Sequence, residues 1–263
     1  MDQATSFYGT AAVRVYASKR ELGAAAAEQA EKAITGAIER SGLARIIVAT
    51  GNSQLEVTSE LVKRAAIDWK AVEVFHMDEY VGLSPNHPSS FRYWIRTRIE
   101  EMVHPRKVHY LAADSDDIEA EIERYSKLMT AAPIHLAFVG FGENGHIAFN
   151  DPPVADFHDP AIVKRVILDA ACRLQQSGEG HFHDFESVPK EALTVTCPGL
   201  FRAEAWISCV PDSRKAEAVR NALEGPISTA CPASLVRTHP KAHVYLDNAS
   251  AALLNGFAAL QER

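Results

Sequence analysis

The sequence predicts an α/β fold, a Rossmann-like and mostly parallel sheet with helices on both faces. Three observations predict it. Short apolar, β-branched runs alternate with helical segments along the chain. One run, IHLAFVGFG (134–142), is almost continuously apolar, as a strand covered on both faces requires. The chain has 263 residues, 47% hydrophobic and 23% charged, enough to bury a full core without disulfides or metals. No Pro/Gly/Ser-rich linker, repeat or low-complexity tract divides it, so one domain spanning 1–263 is expected.

The elements follow in order. Leu22 to Ile38 is rich in Ala, Glu, Gln and Lys, all good helix formers, and Ser41-Gly42 is a stop signal. RIIVAT (45–50) reads as a strand, followed by a helical pattern over 53–66. VEVFHM (72–77) is a second strand, and HPSSFRYWIRTRIEEM (87–102) a helix with Ser89 or Ser90 as its cap. An amphipathic helix over 116–130 leads into the apolar strand at 134–142. VKRVIL (163–168), ALTVTC (192–197), AWISCV (205–210) and HVYL (243–246) complete the strands, with helices near 213–224 and 248–260. Segment 169–187 is polar and glycine-punctuated, and reads equally as a mobile lid or a surface loop.

Composition narrows the partners. The net charge of −7 argues against nucleic acid and anionic membranes, which select a basic face. No apolar run reaches the roughly 18 residues of a membrane span. The N-terminus lacks a charged-then-apolar leader pattern, and Cys172, Cys197, Cys209 and Cys231 form no CxxC pair. A reducing, cytoplasmic location is expected. His181 and His183 share a spacing of two, but no cysteine or acidic set completes a metal site, and no metal is expected.

In parallel sheets ligands gather where strands end. Thr50-Gly51-Asn52-Ser53 follows the first predicted strand and feeds a helix, where free N–H groups attract anions. Many such turns bind nothing. Asp78-Glu79-Tyr80 follows the second strand; taken alone, these acids read as a solvated loop or helix cap, and otherwise as a general base. GFGENGHIAFNDPP (140–153) is the most informative segment. Glycines that admit close approach are interleaved there with Glu143, Asn144, His146 and Asp151, a set suited to proton transfer near neutral pH. Arg214 and Lys215 stand in the first turn of a helix and oppose its dipole, and Lys215 with the helix end suits an anion. A lysine extended into solvent fits Lys215 equally well.

Taken in order, ATGNSQ (49–54), FHMDEYVGL (75–83), HPSSFRYW (87–94), VGFGENGHIAFNDPP (139–153), VPKEALTVT (188–196), SRKAEAV (213–219) and THPKAHVYLD (238–247) resemble the glucosamine-6-phosphate deaminase family, also called isomerases. The resemblance implies a Rossmann-like sandwich that converts glucosamine 6-phosphate and water to fructose 6-phosphate and ammonia, without metal or redox cofactor. It implies ring opening followed by proton transfer between C-2 and C-1 through an enolamine. Asp78 matches the base for the C-2 proton and His146 the group that protonates the ring oxygen. Thr50, Gly51, Asn52 and Ser53 match the phosphate loop, and Lys215 the phosphate lysine. Glu79 and Gly142 fall within the same substrate-binding motifs. The family is frequently oligomeric, which leaves room for a homo-oligomer.

The chain departs from the family pattern at three places. Asn144 stands where aspartate is usual before the Gly-His pair. Asp151 replaces a glutamate, and the missing methylene leaves room for a water between it and His146. Arg173 is the nearest candidate for the phosphate arginine. These departures leave open another amino-sugar phosphate, such as galactosamine 6-phosphate. A 6-phosphogluconolactonase-like hydrolase and a non-catalytic sugar-phosphate sensor are the competing functions. Asp78 and Asn150-Asp151 argue against the first, and the acid–base set against the second. No DNA-binding appendage is expected either, the N-terminal helical stretch running straight into the first strand.

Overall fold

The computed structural model describes residues 4–178, 180 and 182–255. An eight-stranded sheet forms its centre. Its members are β1 (Ser6–Tyr8), β2 (Ala11–Tyr16), β3 (Ala44–Val48), β4 (Val72–His76), β6 (Lys107–His109), β7 (Leu136–Phe138), β10 (Trp206–Val210) and β11 (Ala242–Asp247), in the order β1-β2-β11-β10-β7-β3-β4-β6. All neighbouring pairs are parallel except β1 with β2. The fold class is the one expected: every residue of β3, β7 and β10 is buried, as helices on both faces demand.

The first helix shows how sequence becomes packing. α1 (Lys19–Ser41) starts where the Ser18 side chain accepts the Glu21 N–H, and ends where Gly42 turns left-handed and returns its N–H to Ile38. Leu22, Ala26, Ala30, Ile34 and Ala37 recur at helical spacing and are buried. That face packs on β2, β3, β7, β10 and β11. α2 (Leu55–Leu61), entered by a 3₁₀ turn over Asn52–Gln54, lies against α1 and is shorter than the 53–66 pattern suggested.

Several expectations are corrected. The strands near 163–168 and 192–197 do not join the parallel sheet. They are β8 (Val163–Ile167) and β9 (Glu191–Val195), paired antiparallel with each other, and β9 pairs likewise with β5 (Asp78–Tyr80). Buried Val163 and Val166, with Arg165 and Ile167 exposed beside them, mark β8 as one-sided. The strand within 134–142 is limited to β7, because Gly140 and Gly142 belong to the turn that follows. The N-terminal helix is preceded by β1 and β2, so it does not open the fold. The 87–102 helix divides into α3 (Phe91–Ile95), a π-helical turn over Arg96–Glu100, and α4 (Glu101–Val103). α5 (Ile118–Thr130) lies inside its predicted span. Segment 169–187 is no plain loop: α6 (Ala170–Gly178) occupies its first half. Short α7 (Cys197–Phe201) follows β9, and α8 (Ala216–Glu224) and α9 (Asn248–Ala251) close the fold. Of the helix predicted over 248–260, residues 256–260 lie outside the described residues, as does His181. Among the described residues no helix is long and apolar enough to cross a membrane.

Chain order then locates the site. From β3 the chain builds outward through β4 and β6, then crosses back to place β7 on the other side of β3. A crevice opens at such a switch point, beyond the carboxyl ends of β3 and β7.

Candidate active site

A cavity of about 380 Å³ fills that crevice. The loop after β3 brings Thr50, Gly51, Asn52 and Ser53 to its wall. Gly51 has φ +97°, a conformation that a side chain would strain, and it turns the chain directly into the 3₁₀ turn. On the same wall stand Lys215, at the entry to α8, and Arg214 beside it. Lys215 is buried at 7% exposure, which decides against a lysine extended into solvent. Lys19, at the start of α1, and Asp212 complete this end. Burial alone would raise the Asp212 carboxyl. The Arg214 N–H and guanidinium and the Lys19 ammonium, 3.2 Å away, reverse this and hold it at about 2.

The opposite wall carries the titratable groups. Asp78 and Glu79 are neighbours on β5, so the pleat sends them to opposite faces. Asp78 lines the cavity. Burial, and then the adjacent Glu79 charge, push its carboxyl well above the usual range. Glu79 points the other way and is fully buried. Its carboxylate accepts from Ser90 Oγ at 2.6 Å and from the N–H groups of Tyr80, Phe91 and Arg92 at 3.0, 3.3 and 3.0 Å. It therefore caps α3 and pairs with Arg92, and it does not line the cavity.

The backbone that presents Asp78 is itself held. His76 is fully buried; its Nε2 accepts the Leu111 N–H, which puts the ring proton on Nδ1, donated to Asp78 O at 2.8 Å. Burial lowers its pKa to about 4, so the ring is neutral. The Tyr125 hydroxyl accepts the His76 N–H and donates to the His76 carbonyl.

His146 reaches the cavity from the turn after β7. Its Nδ1 lies 2.9 Å from Asp151 Oδ1, a direct contact with no room for the water that the shorter side chain suggested. Asn144 donates to the same oxygen at 2.8 Å and accepts the His146 N–H at 2.9 Å, locking the turn. Burial would raise the Asp151 carboxyl, but the hydrogen bond and charge of His146, then Asn144, hold it below the usual value. Gly142 lies flat against the imidazole: a Cβ there would sit 2.3 Å from His146 Cε1. Ala148 and Asp212, at φ +50° and +92°, also border the cavity, and such backbone persists where surroundings impose it.

The structure thus gathers Thr50, Gly51, Asn52, Ser53, Asp78, Gly142, His146 and Lys215 around one space, with Asn144 and Asp151 directly behind His146. It leaves out Glu79 and Arg173. The Arg173 guanidinium donates to Phe185 O and Val188 O and stacks on Phe185, so it braces its own loop. Gln175, Gln176, Lys19, Arg214 and Asp212 line the cavity without having been expected there. Gln175 and Gln176 come from α6, and Tyr80 fixes Gln176 through a 2.6 Å hydrogen bond. Lys19 was missed because AAVRVY (11–16) was not read as a strand; its β-branched alternation, followed by Ser18, was the available signal. Arg214 was read as unfavourable for its helix but not carried into the site. Among the described residues no group of three or more His, Cys, Asp or Glu has metal-holding geometry.

A switch-point cavity with a cationic end and acid–base groups opposite defines an α/β enzyme of small anionic substrates. The chain belongs to the family of glucosamine-6-phosphate isomerases/6-phosphogluconolactonase, whose model matches residues 17–162. It is 32% identical over 238 residues to a glucosamine-6-phosphate deaminase of Lactobacillus delbrueckii subsp. bulgaricus, covering 89% of this chain and 95% of that one. A glucosamine-6-phosphate deaminase of Arthrobacter sp. is 33% identical over 248 residues, 92% of either chain. Among solved structures, a monomeric glucosamine-6-phosphate deaminase superposes with a TM-score of 0.82 at 28% identity, over 92% of this chain and 99% of that one. A 6-phosphogluconolactonase of Shewanella baltica shares the fold, with a TM-score of 0.74 at 16% identity, over 92% and 99% of the two chains.

Proposed function

We propose that this chain is a cytoplasmic, single-domain glucosamine-6-phosphate deaminase that converts glucosamine 6-phosphate and water to fructose 6-phosphate and ammonia. The observation that carries the reading is that a carboxylate and a carboxylate-paired histidine open into the same cavity as the Thr50–Ser53 turn and Lys215. The phosphate sits at the Thr50–Ser53 turn with Lys215, remote from the reacting carbons, and its binding energy orients the sugar. Arg214 and Lys19 stand where the arginine expected at Arg173 would be needed.

His146 keeps Nδ1 on Asp151 and offers Nε2 to the substrate. It takes the C-1 hydroxyl proton on Nε2 and passes it to the ring oxygen, which opens the ring to the aldehyde. Asp78 then takes the C-2 proton while the substrate's ammonium gives one to O-1, forming the enolamine, and Asp78 returns its proton to C-1. The C-2 iminium that results adds water and expels ammonia, leaving the ketose. The raised pKa of Asp78 makes it a stronger base than a solvated carboxylate. Ammonia release is measured from glucosamine 6-phosphate, with galactosamine 6-phosphate in parallel. Wild type is expected to act on the first, and Asp78→Asn to lose at least about 100-fold. Absence of release from either sugar by folded wild type overturns the proposal.

A further inference from the structure

A second cavity, of about 210 Å³, lies against the opposite end of the sheet. His135, Ala205 and Lys241 stand just before β7, β10 and β11, so this is the amino-terminal pole of the parallel strands. Lys32 and Arg40, from the second half of α1, form the facing wall with Glu204. Three cations thus meet one acid, in a chain whose net charge is −7. Glu204 pairs with Arg40 at 3.1 Å, and Lys32 reaches out to Glu28 at 2.7 Å.

The two histidines are committed as donors or left unmatched. His135 Nδ1 accepts the Arg45 N–H at 2.9 Å, which places the ring proton on Nε2 as a donor. His243 also lines the cavity, and its Nδ1 is buried with no hydrogen-bonding partner among the described residues. Lys32, Arg40, Lys241 and the His135 Nε2–H therefore face two acceptors, the Glu204 carboxylate and the Gln29 amide oxygen. The groups that complement such a set accept only and carry negative charge. We propose that this cavity is a binding site for a small oxyanion, a phosphate or carboxylate group, separate from the candidate active site. Burial holds both histidines below their usual pKa, and nearby cations, Arg40 and Arg45 at His135 and Arg14 at His243, add to it against Glu204. A bound anion accepts from the His135 Nε2–H, and its charge offsets the cations beside both rings.

The test is an NMR titration of the full chain with inorganic phosphate, following the imidazole signals of His135, His243 and His146. His146 reports the first cavity, and the titration is repeated in Lys215→Ala to weaken binding there. Saturable shifts of His135 and His243 are expected in both proteins, at least tenfold weaker in the double variant Lys32→Glu/Lys241→Glu. Both lysines are exposed, and a melting curve checks that the variant is folded. Acetate in parallel distinguishes carboxylate from phosphate recognition, and saturation by either supports the site. Shifts confined to His146, or shifts of His135 and His243 unchanged in the double variant, overturn it.

Discussion

Glu79 offers a sharp test, because sequence placed it with the substrate and the structure turns it inward. Its carboxylate is fully buried and is the shared acceptor for three backbone N–H groups, the Ser90 hydroxyl and Arg92. Two of those N–H groups belong to the first turn of α3, which has no earlier carbonyl to take them. Glu79→Ala strands the Ser90 hydroxyl and the three N–H groups in a dry interior, while the Arg92 guanidinium keeps Asp114 at 2.7 Å and Leu83 O at 2.8 Å. Each stranded donor costs about 1–3 kcal/mol where it cannot find water, and removing one partner of a buried ion pair costs about 3–5 kcal/mol as a whole. The larger figure already includes most of the donors, so about 3–5 kcal/mol is expected. At roughly 2–4 °C per kcal/mol for a chain of this size, the melting temperature falls by about 10 °C. Glu79→Gln keeps one oxygen but turns an amide N–H₂ toward donors, and is expected to lose a large part of the same stability. Thermal melts and urea titrations give the stabilities. KM for glucosamine 6-phosphate, measured below the variants' melting range, is expected to stay within about threefold for Glu79→Gln. A Glu79→Gln protein that melts with wild type while its KM rises tenfold would place the side chain on the substrate and refute the buried-cap account.

Asp78→Asn should abolish turnover and yet stabilise the fold. Its carboxyl is raised in the native state, so above the unfolded value of about 3.9 the native chain binds more protons than the unfolded one, and stability drops as pH rises through that window. The gain in melting temperature should accordingly be larger at pH 7.5 than at pH 4; a gain independent of pH would contradict it. Asp151 has the opposite sign. Its lowered value contributes stability above about pH 3.9 that is lost as pH falls through the native value. Asp151→Asn should therefore cost about 1.5–3 kcal/mol at neutral pH and less near pH 3, read from urea titrations at both. Gly142→Ala puts a Cβ 2.3–2.4 Å from three atoms of the His146 ring, which can escape only by swinging off Asp151. Turnover should fall about 10²–10⁴-fold, with a stability loss of about 1–3 kcal/mol from the broken His146–Asp151 contact, and near-normal turnover would show that the ring does not need that seat.

What was legible in the sequence is what local chemistry dictates. The strands read at 45–50, 72–77 and 205–210, and the helix read over 22–38 with its Gly42 stop, follow from apolar runs, helix formers and turn residues, and these act within a few neighbours. The Thr50–Ser53 turn and the His146 turn were legible for the same reason: each is a contiguous run that must follow a buried strand. Tertiary structure decided the rest. Strand order put the β3 and β7 loops at one switch point, and no period in the sequence encodes order. Pairing of β5 with β9 set the pleat that sends Asp78 into the cavity and Glu79 into the interior, a choice that adjacent acids cannot announce. Packing of α1 carried Lys19 to Asp212, 193 residues away along the chain. A side chain's direction and its company depend on neighbours distant in sequence, and those are set only when the sheet has closed around them.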